Sequence, residues 1–357
     1  MSRRLLAIVG LLVAFGAIAA VALAMWPERA GDDEAPAAQA SSNGSLSPGR
    51  PDQSAGGDAA ASAAIAAPEP APGESGGRGH GVGPAAVTAS AGEYALQPAA
   101  APLPVRLRLK KPPASGVLFD VASGEVLWQR RPWALHPMAS LTKMMTALLI
   151  TDAHAPEERV PISRNATHTA GSATGLLPQG KAVPLEALLQ ALIMISANDA
   201  AVALAEYDAG SVPKFVRRMN ARARLMGLRC TRFSTPNGLK DRDNRSCAMD
   251  LAALARADLA EPRIARIAKT SSATPAFPIR GGVLHLANNH YFLDHGLGGL
   301  PAARVTGLKT GFTDGAGRCY VTTARLGGRH LGVVLLDSPD PLRQVPHLLA
   351  AGFVGGR

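Results

Sequence analysis

Three short groups of side chains in this 357-residue chain have the types and spacing for nucleophilic chemistry. The first is Ser140 and Lys143, within Pro137-Met138-Ala139-Ser140-Leu141-Thr142-Lys143-Met144-Met145-Thr146 and ahead of the apolar residues Ala147, Leu148, Leu149 and Ile150. A helix puts residues three apart on one face, one turn apart. A serine in the first turn sits where free backbone N–H groups and the helix dipole favour negative charge. A lysine packed into apolar surroundings is held neutral and can take the serine proton. The pair reads as an activated serine with its base. Taken alone the pattern is cheap: Ser211-Val212-Pro213-Lys214 repeats it and reads as a capped helix start.

The second group is Ser196-Ala197-Asn198, where a nearly all-apolar helix, Leu185–Ile195, stops. A serine and an asparagine two apart in a loop can point the same way, the hydroxyl to relay a proton and the amide to orient a carbonyl or the lysine. An ordinary polar helix break has the same letters, and so does Ser41-Ser42-Asn43. The third group is Lys309-Thr310-Gly311-Phe312. On an edge strand Lys309 and Gly311 face one way and Thr310 the other. Gly311 lets another backbone lie close, and a free edge can take an extended peptide as an added strand. A lysine on a solvated edge is the plain alternative, as in Lys269-Thr270-Ser271.

The elements that must position these groups follow from the pattern. Val117–Asp120 and Val126–Gln129 flank Ala122-Ser123-Gly124 and predict a hairpin. Helices are predicted from Ser140, over Leu185–Ile195 (buried, because apolar all round), over Ala200–Tyr207, Lys214–Met226 (basic and amphipathic), Asp250–Asp258 and Leu342–Gly352. Strands are predicted over Arg318–Arg325 and His330–Leu336, joined at Gly327-Gly328. Two early strands, helices in the middle, then strands and a helix predict an α+β fold with an antiparallel sheet built from both chain ends and flanked by helices.

Charge is uneven. The chain carries +10 overall, yet residues 27–100 hold nine acids and three Arg, and residues 101–357 come to +14. A basic body suits nucleic acid, an anionic surface or an anionic substrate. No helix combines clustered Arg with interleaved aromatics, so nucleic acid is the weakest of these. The three cysteines form no CxxC pair, which argues against zinc. Cys230 and Cys247 are either a disulfide of an exported chain or buried thiols. His285, His290 and His295 recur every five residues, which fits no helix face, and read as polar loop or strand positions.

Met-Ser-Arg-Arg followed by the uncharged run Leu5 to Trp26 is long enough to span a bilayer with its N-terminus inside. It reads as a retained single-span anchor over residues 1–26, with Ala22-Leu23-Ala24 as a cleavage site if it is instead a signal segment. Residues 27–102, rich in Ala, Pro, Gly and Ser, read as a disordered linker with a reach of roughly 50 Å. Residues 103–357 form the folded body, on the outer face of the membrane.

In this order the three groups resemble the set shared by class A β-lactamases and penicillin-binding proteins. The longer strings, Ala139 to Thr146, Ser196-Ala197-Asn198-Asp199-Ala200-Ala201, Gly307 to Thr313, Pro236-Asn237-Gly238-Leu239 and Ala316-Gly317-Arg318-Cys319-Tyr320-Val321, are similar to the low-molecular-weight penicillin-binding proteins, the D-alanyl-D-alanine carboxypeptidases. The likeness covers about residues 105–353 and implies a β-lactamase/DD-peptidase-like fold with a helical subdomain. It implies that Ser140 attacks the penultimate D-alanine carbonyl of a peptidoglycan stem peptide to form an acyl-enzyme, with Lys143 as base. Ser196 and Asn198 then assist proton transfer and hold substrate, Lys309 supports the site electrostatically, and Thr310 binds the terminal carboxylate. The N–H groups of Ser140 and Phe312 form the oxyanion hole, beside Gly311. β-Lactam antibiotics are implied as covalent inhibitors, with no metal or other cofactor.

Some positions depart from the family pattern. Ala197 stands where glycine is frequent, Asn288-Asn289-His290 where Asn-Thr-Asn is expected, and Arg343 is the nearest candidate for an arginine that meets the carboxylate. The same motifs fit a DD-endopeptidase that cuts cross-links. A class A β-lactamase needs a deacylating glutamate, for which Glu206 and Glu261 lack the expected surroundings. An idle wall-binding module is the reading outside enzymes.

Overall fold

The computed structural model describes residues 92–97, 103–239 and 243–355. The expected anchor, 1–26, and the linker to residue 102, save 92–97, lie outside these residues. Among the described residues no helix is long and apolar enough to cross a membrane.

Five strands form one antiparallel sheet: β1 (Ser115–Asp120), β2 (Val126–Arg130), β3 (Arg304–Thr313), β4 (Gly317–Leu326) and β5 (Arg329–Leu336). Their order is β2-β1-β5-β4-β3, so the first and last strands of the chain meet at the β1–β5 ladder, with Val117 opposite Val334. Side chains alternate between two cores. Val117, Phe119, Cys319, Val321, Val334 and Leu336 face the helical half, whereas Leu118, Leu331, Val333 and Leu335 face the C-terminal helix. A sheet covered on both faces needs apolar side chains in both directions, which is why β5 is an unbroken apolar run instead of an alternating one.

The helical half comprises α1 (Lys143–Ala153), α2 (Leu185–Met194), α3 (Asn198–Ala209), α4 (Val212–Leu225), α5 (Ala248–Ala260) and α6 (Pro262–Ala268). The last helix, α7 (Pro341–Gly355), covers the opposite face of the sheet. Every predicted element is present, while α6 was not foreseen: its Pro262 at the first turn and the Glu261 cap, which accepts from Arg263 N–H at 3.0 Å, are its start signals.

Two features differ from the sequence reading. Residues 92–97, assigned there to the linker, are strapped to the body: Gln97 N–H donates to Gly124 O, Arg256 Nη1 to Ala95 O (2.9 Å), and Tyr94 and Leu96 pack on the main core. Cys230 and Cys247 are joined in a disulfide, which resolves the open alternative. Asp250 lies beside their sulfurs, but bonded to one another these are not metal ligands. Cys319 is buried in β4, outside that bridge.

Candidate active site

The segment from Ala139 to Thr142 is a 3-10 turn that runs directly into α1. In a 3-10 turn residues three apart eclipse, so Ser140 and Lys143 share a face as the spacing required. Lys143 Nζ donates to Asn198 Oδ1 at 2.6 Å and to Asn237 O at 2.8 Å, and lies 3.0 Å from Ser140 Oγ. Lys143 is 1% exposed. Burial, and then the nearby Lys309 ammonium, hold it well below the usual lysine range, against a smaller opposing pull from Asp199. Burial also brings Lys309 down, to about 7. A charge on Lys309 thus favours the neutral form of Lys143, whose lone pair can accept the serine proton.

Backbone strain collects around the nucleophile. Ala139, immediately before Ser140, has φ 48°, and Ser196 has φ 60°. Non-glycine residues persist in this left-handed region only when their surroundings dictate it. Two glycines help. Gly238 (φ 86°) turns where a Cβ would run into the Ala139 carbonyl, and a Cβ on Gly311 would lie 2.9 Å from Ser140 N. Gly311 is therefore what lets edge strand β3 close against the serine turn.

Strand β3 is at the sheet edge, as expected. Lys309 and Gly311 are buried toward the helical half; Lys309 Nζ donates to Thr310 O at 3.0 Å. Thr310 points the other way and its hydroxyl donates to Asn289 Oδ1 at 3.3 Å. Asn289 N–H in turn donates to Met194 O, fastening this wall to the end of α2. Phe312 stands 63% exposed on the rim. A hollow of about 390 Å3 is lined by Ser140, Ser172, Ser196, Thr310 and Arg318, with Asn289 at its wall. Ser196 Oγ is buried with no hydrogen-bond partner among the described residues. All eight residues singled out from the sequence lie together here: Ser140, Lys143, Ser196, Asn198, Lys309, Thr310, Gly311 and Phe312.

Several residues of the site were not selected from the sequence. Asn198 holds the 170–175 loop through its N–H to Ser172 O (2.6 Å) and its Nδ2 to Ala170 O (2.9 Å). Asp199 accepts from Thr174 N–H, Thr174 Oγ1 and Gly175 N–H, which completes the clamp and brings Ser172 into the cleft. The Asp after Ser196-Ala197-Asn198 was visible, but not its partner loop 25 residues upstream. Arg343, the nearest arginine candidate from the sequence, is 83% exposed beside Asp340, at 3.8 Å. The arginine in the cleft is Arg318 of β4, whose neighbour across the ladder is Phe312. His290, read as a polar loop position, is buried instead, its Nε2 near Val321 O and Thr322 Oγ1, and burial lowers it to about 4. Glu206 receives Ser163 and Asn165, and Glu261 caps α6, so neither acid faces the cleft.

A serine with a neutral buried lysine, at an edge strand between a sheet and a helical half, defines a serine acyl-enzyme hydrolase of the penicillin-binding class. The chain belongs to the D-alanyl-D-alanine carboxypeptidase family, Peptidase S11, whose model matches residues 110–340. It is 31% identical over 242 residues to a D-alanyl-D-alanine endopeptidase of Pseudomonas aeruginosa, covering 68% of this chain and 76% of that one. It is 33% identical over 243 residues to the D-alanyl-D-alanine carboxypeptidase DacD of Salmonella typhimurium, covering 64% of this chain and 60% of that relative's length. Among solved structures, a D-alanyl-D-alanine carboxypeptidase from Mycobacterium tuberculosis superposes with a TM-score of 0.64 at 29% identity, over 72% of this chain and 96% of that one.

Proposed function

We propose that this protein is a serine D-alanyl-D-alanine carboxypeptidase that removes the terminal D-alanine from peptidoglycan stem peptides. The observation that carries the reading is the 3.0 Å contact between Ser140 Oγ and a buried Lys143 that burial and Lys309 hold neutral. Lys143 takes the hydroxyl proton as Ser140 Oγ bonds to the penultimate D-alanine carbonyl. The N–H groups of Ser140 and Phe312 receive the oxyanion. Collapse breaks the C–N bond, and the leaving amine takes its proton from Lys143 through Ser196, whose buried hydroxyl has no hydrogen-bond partner among the described residues. Water then cleaves the ester and regenerates Ser140. Asn198 holds Lys143 and the 170–175 loop in place. β-Lactams acylate the same serine, which family membership supports. The run over residues 1–26 holds the body to the outer face of the membrane.

A full-length preparation incubated with a stem pentapeptide should release D-alanine and carry a fluorescent penicillin on Ser140, both lost in Ser140→Ala. Folded protein that takes no label and releases no D-alanine would remove this reading in favour of an idle wall-binding module. Fast drug turnover without an adduct would indicate a β-lactamase. The Pseudomonas relative keeps a second reading in view, cutting D-alanyl cross-links; release of monomers from cross-linked muropeptide dimers, faster than D-alanine release from pentapeptide, would establish it.

Arg318 reaches the cleft from β4 without an ion pair to any described carboxylate. It is placed to meet the substrate carboxylate beside Thr310. Arg318→Ala should raise KM for stem peptide by roughly 10–100-fold, the range for losing a hydrogen bond to a charged group, with a smaller change in kcat. Arg343→Ala should leave both unchanged. Equal effects of the two substitutions would remove Arg318 from this role.

A further inference from the structure

A second hollow, of about 500 Å3, lies apart from Ser140 and is lined by Trp133, Met226, Leu228 and Met249, with Ala95 and Leu96 of the N-terminal strap on its wall. Its rim exposes apolar groups. Trp133 is 55% exposed and Leu135 56%. Their loop is held in place by Met249 N–H donating to Pro132 O and by Cys230, whose Sγ lies 3.8 Å from Trp133 O. Leu225, one residue before Met226, is 64% exposed.

The charge beside this rim is of one sign. From Ser211 to Leu239 the chain carries Lys214, Arg217, Arg218, Arg222, Arg224, Arg229 and Arg232 and not one Asp or Glu. Arg218 pairs with Asp208 and Arg222 with Asp152. Among the described residues no carboxylate pairs with the other five. On α4, Phe215, Met219 and Ala223 go to the core. At 3.6 residues per turn, Lys214, Arg217, Arg224 and Leu225 fall within about a third of the circumference on the outer side.

We propose that this face, the outer side of α4 with Trp133 and Leu225, docks on an anionic lipid surface. Basic side chains on the outer side of α4, with an exposed leucine at its end and an exposed tryptophan at the hollow that follows it, match what a headgroup layer offers, phosphate outside and acyl chain beneath. A soluble polyanion would use the charges but leave Trp133 and Leu225 without a role. The strap adds an independent reason. Residues 92–97 reach the body at this same hollow, so the chain that follows the apolar N-terminal run arrives on the proposed docking side. The inference does not depend on the peptidase reading.

The test uses the full chain with Trp26→Phe, reconstituted in vesicles of brominated phosphatidylcholine with and without about 30% phosphatidylglycerol. The apolar run is then equally available to both. Quenching assigned to Trp133, by its loss in Trp133→Phe, should be at least about threefold greater in the anionic vesicles and vanish at about 0.5 M salt. It should also vanish in Lys214→Glu/Arg217→Glu/Arg224→Glu, whose thermal midpoint should match the parent chain. Equal quenching in both vesicles, persistence in the triple variant, or no quenching at all would overturn the proposal. Polyphosphate binding that the triple variant loses, without quenching by either vesicle, would assign the patch to a soluble polyanion and overturn it as well.

Discussion

Replacing Lys143 by methionine is expected to slow acylation of Ser140 by about 10²–10⁴-fold, the range for removing a positioned general base. The apolar replacement suits the burial of the site, so penicillin labelling should fall in rate on a chain that still folds. The largest structural cost is the partner lost by Asn198 Oδ1 and Asn237 O, about 1–3 kcal/mol for a buried acceptor left unmet. The pH dependence gives a sharper test. Acylation requires neutral Lys143, so its rate should rise with pH through the Lys143 titration and level off above it. The Lys309 ammonium is one cause of the low Lys143 pKa. Lys309→Met removes that charge, raises the Lys143 pKa and moves the acid limb to higher pH. An acid limb that stays in place in Lys309→Met, measured as acylation rate against pH, would mean that the two amines do not share a field.

Asp258 supplies the largest expected gain in stability. It is fully buried in α5, and neither carboxyl oxygen has a hydrogen-bond partner among the described residues. Burial, then Asp152 and Glu261, push its pKa well above the carboxylate range. Asp258→Asn should stabilise the fold at neutral pH, because the amide has no charge to neutralise on burial, by about 1.4 kcal/mol for each unit that the folded pKa stands above the unfolded one. For a body of this size that is a Tm higher by about 2–4 °C per kcal/mol. The sign in pH follows from linkage. The folded state holds the Asp258 proton where the unfolded chain, with an ordinary carboxylate pKa, has lost it. Between those two pKa values the wild-type chain therefore loses stability as pH rises. The advantage of Asp258→Asn should grow from pH 4 upward. Denaturant unfolding at several pH values measures this; a difference that shrinks as pH rises would show that the carboxylate is stabilised in the fold.

Much of this was legible in the residues alone. The three motifs are local, because each serves chemistry within one turn or one strand end, and so Ser140 with Lys143, Ser196 with Asn198, and Lys309 to Phe312 could be chosen without a structure. The helices and sheet strands were legible because their apolar periodicity is strong. The unforeseen parts depend on distant pairs. Asn237 meets Lys143 across 94 positions, and Arg256 clasps a strap 161 positions away. The arginine candidate was sought near the C-terminal helix at Arg343, whereas strand pairing opposite Phe312 is what brings Arg318 to the cleft. His290 lies in a loop, as its spacing suggested, but a five-residue spacing says nothing about which turn the sheet will bury.

The sequence by itself picked out the Ser140–Lys143 pair and the edge strand that the structure brings together, because their spacing along the backbone sets their geometry. Only the tertiary structure supplied what lowers the Lys143 pKa, burial and a second lysine 166 residues on. It also decided the Cys230–Cys247 pairing and the gathering of Trp133, Met226 and residues 95–96 around one hollow. Desolvation and long-range contact are properties of the packed molecule, and no local pattern of residues encodes them.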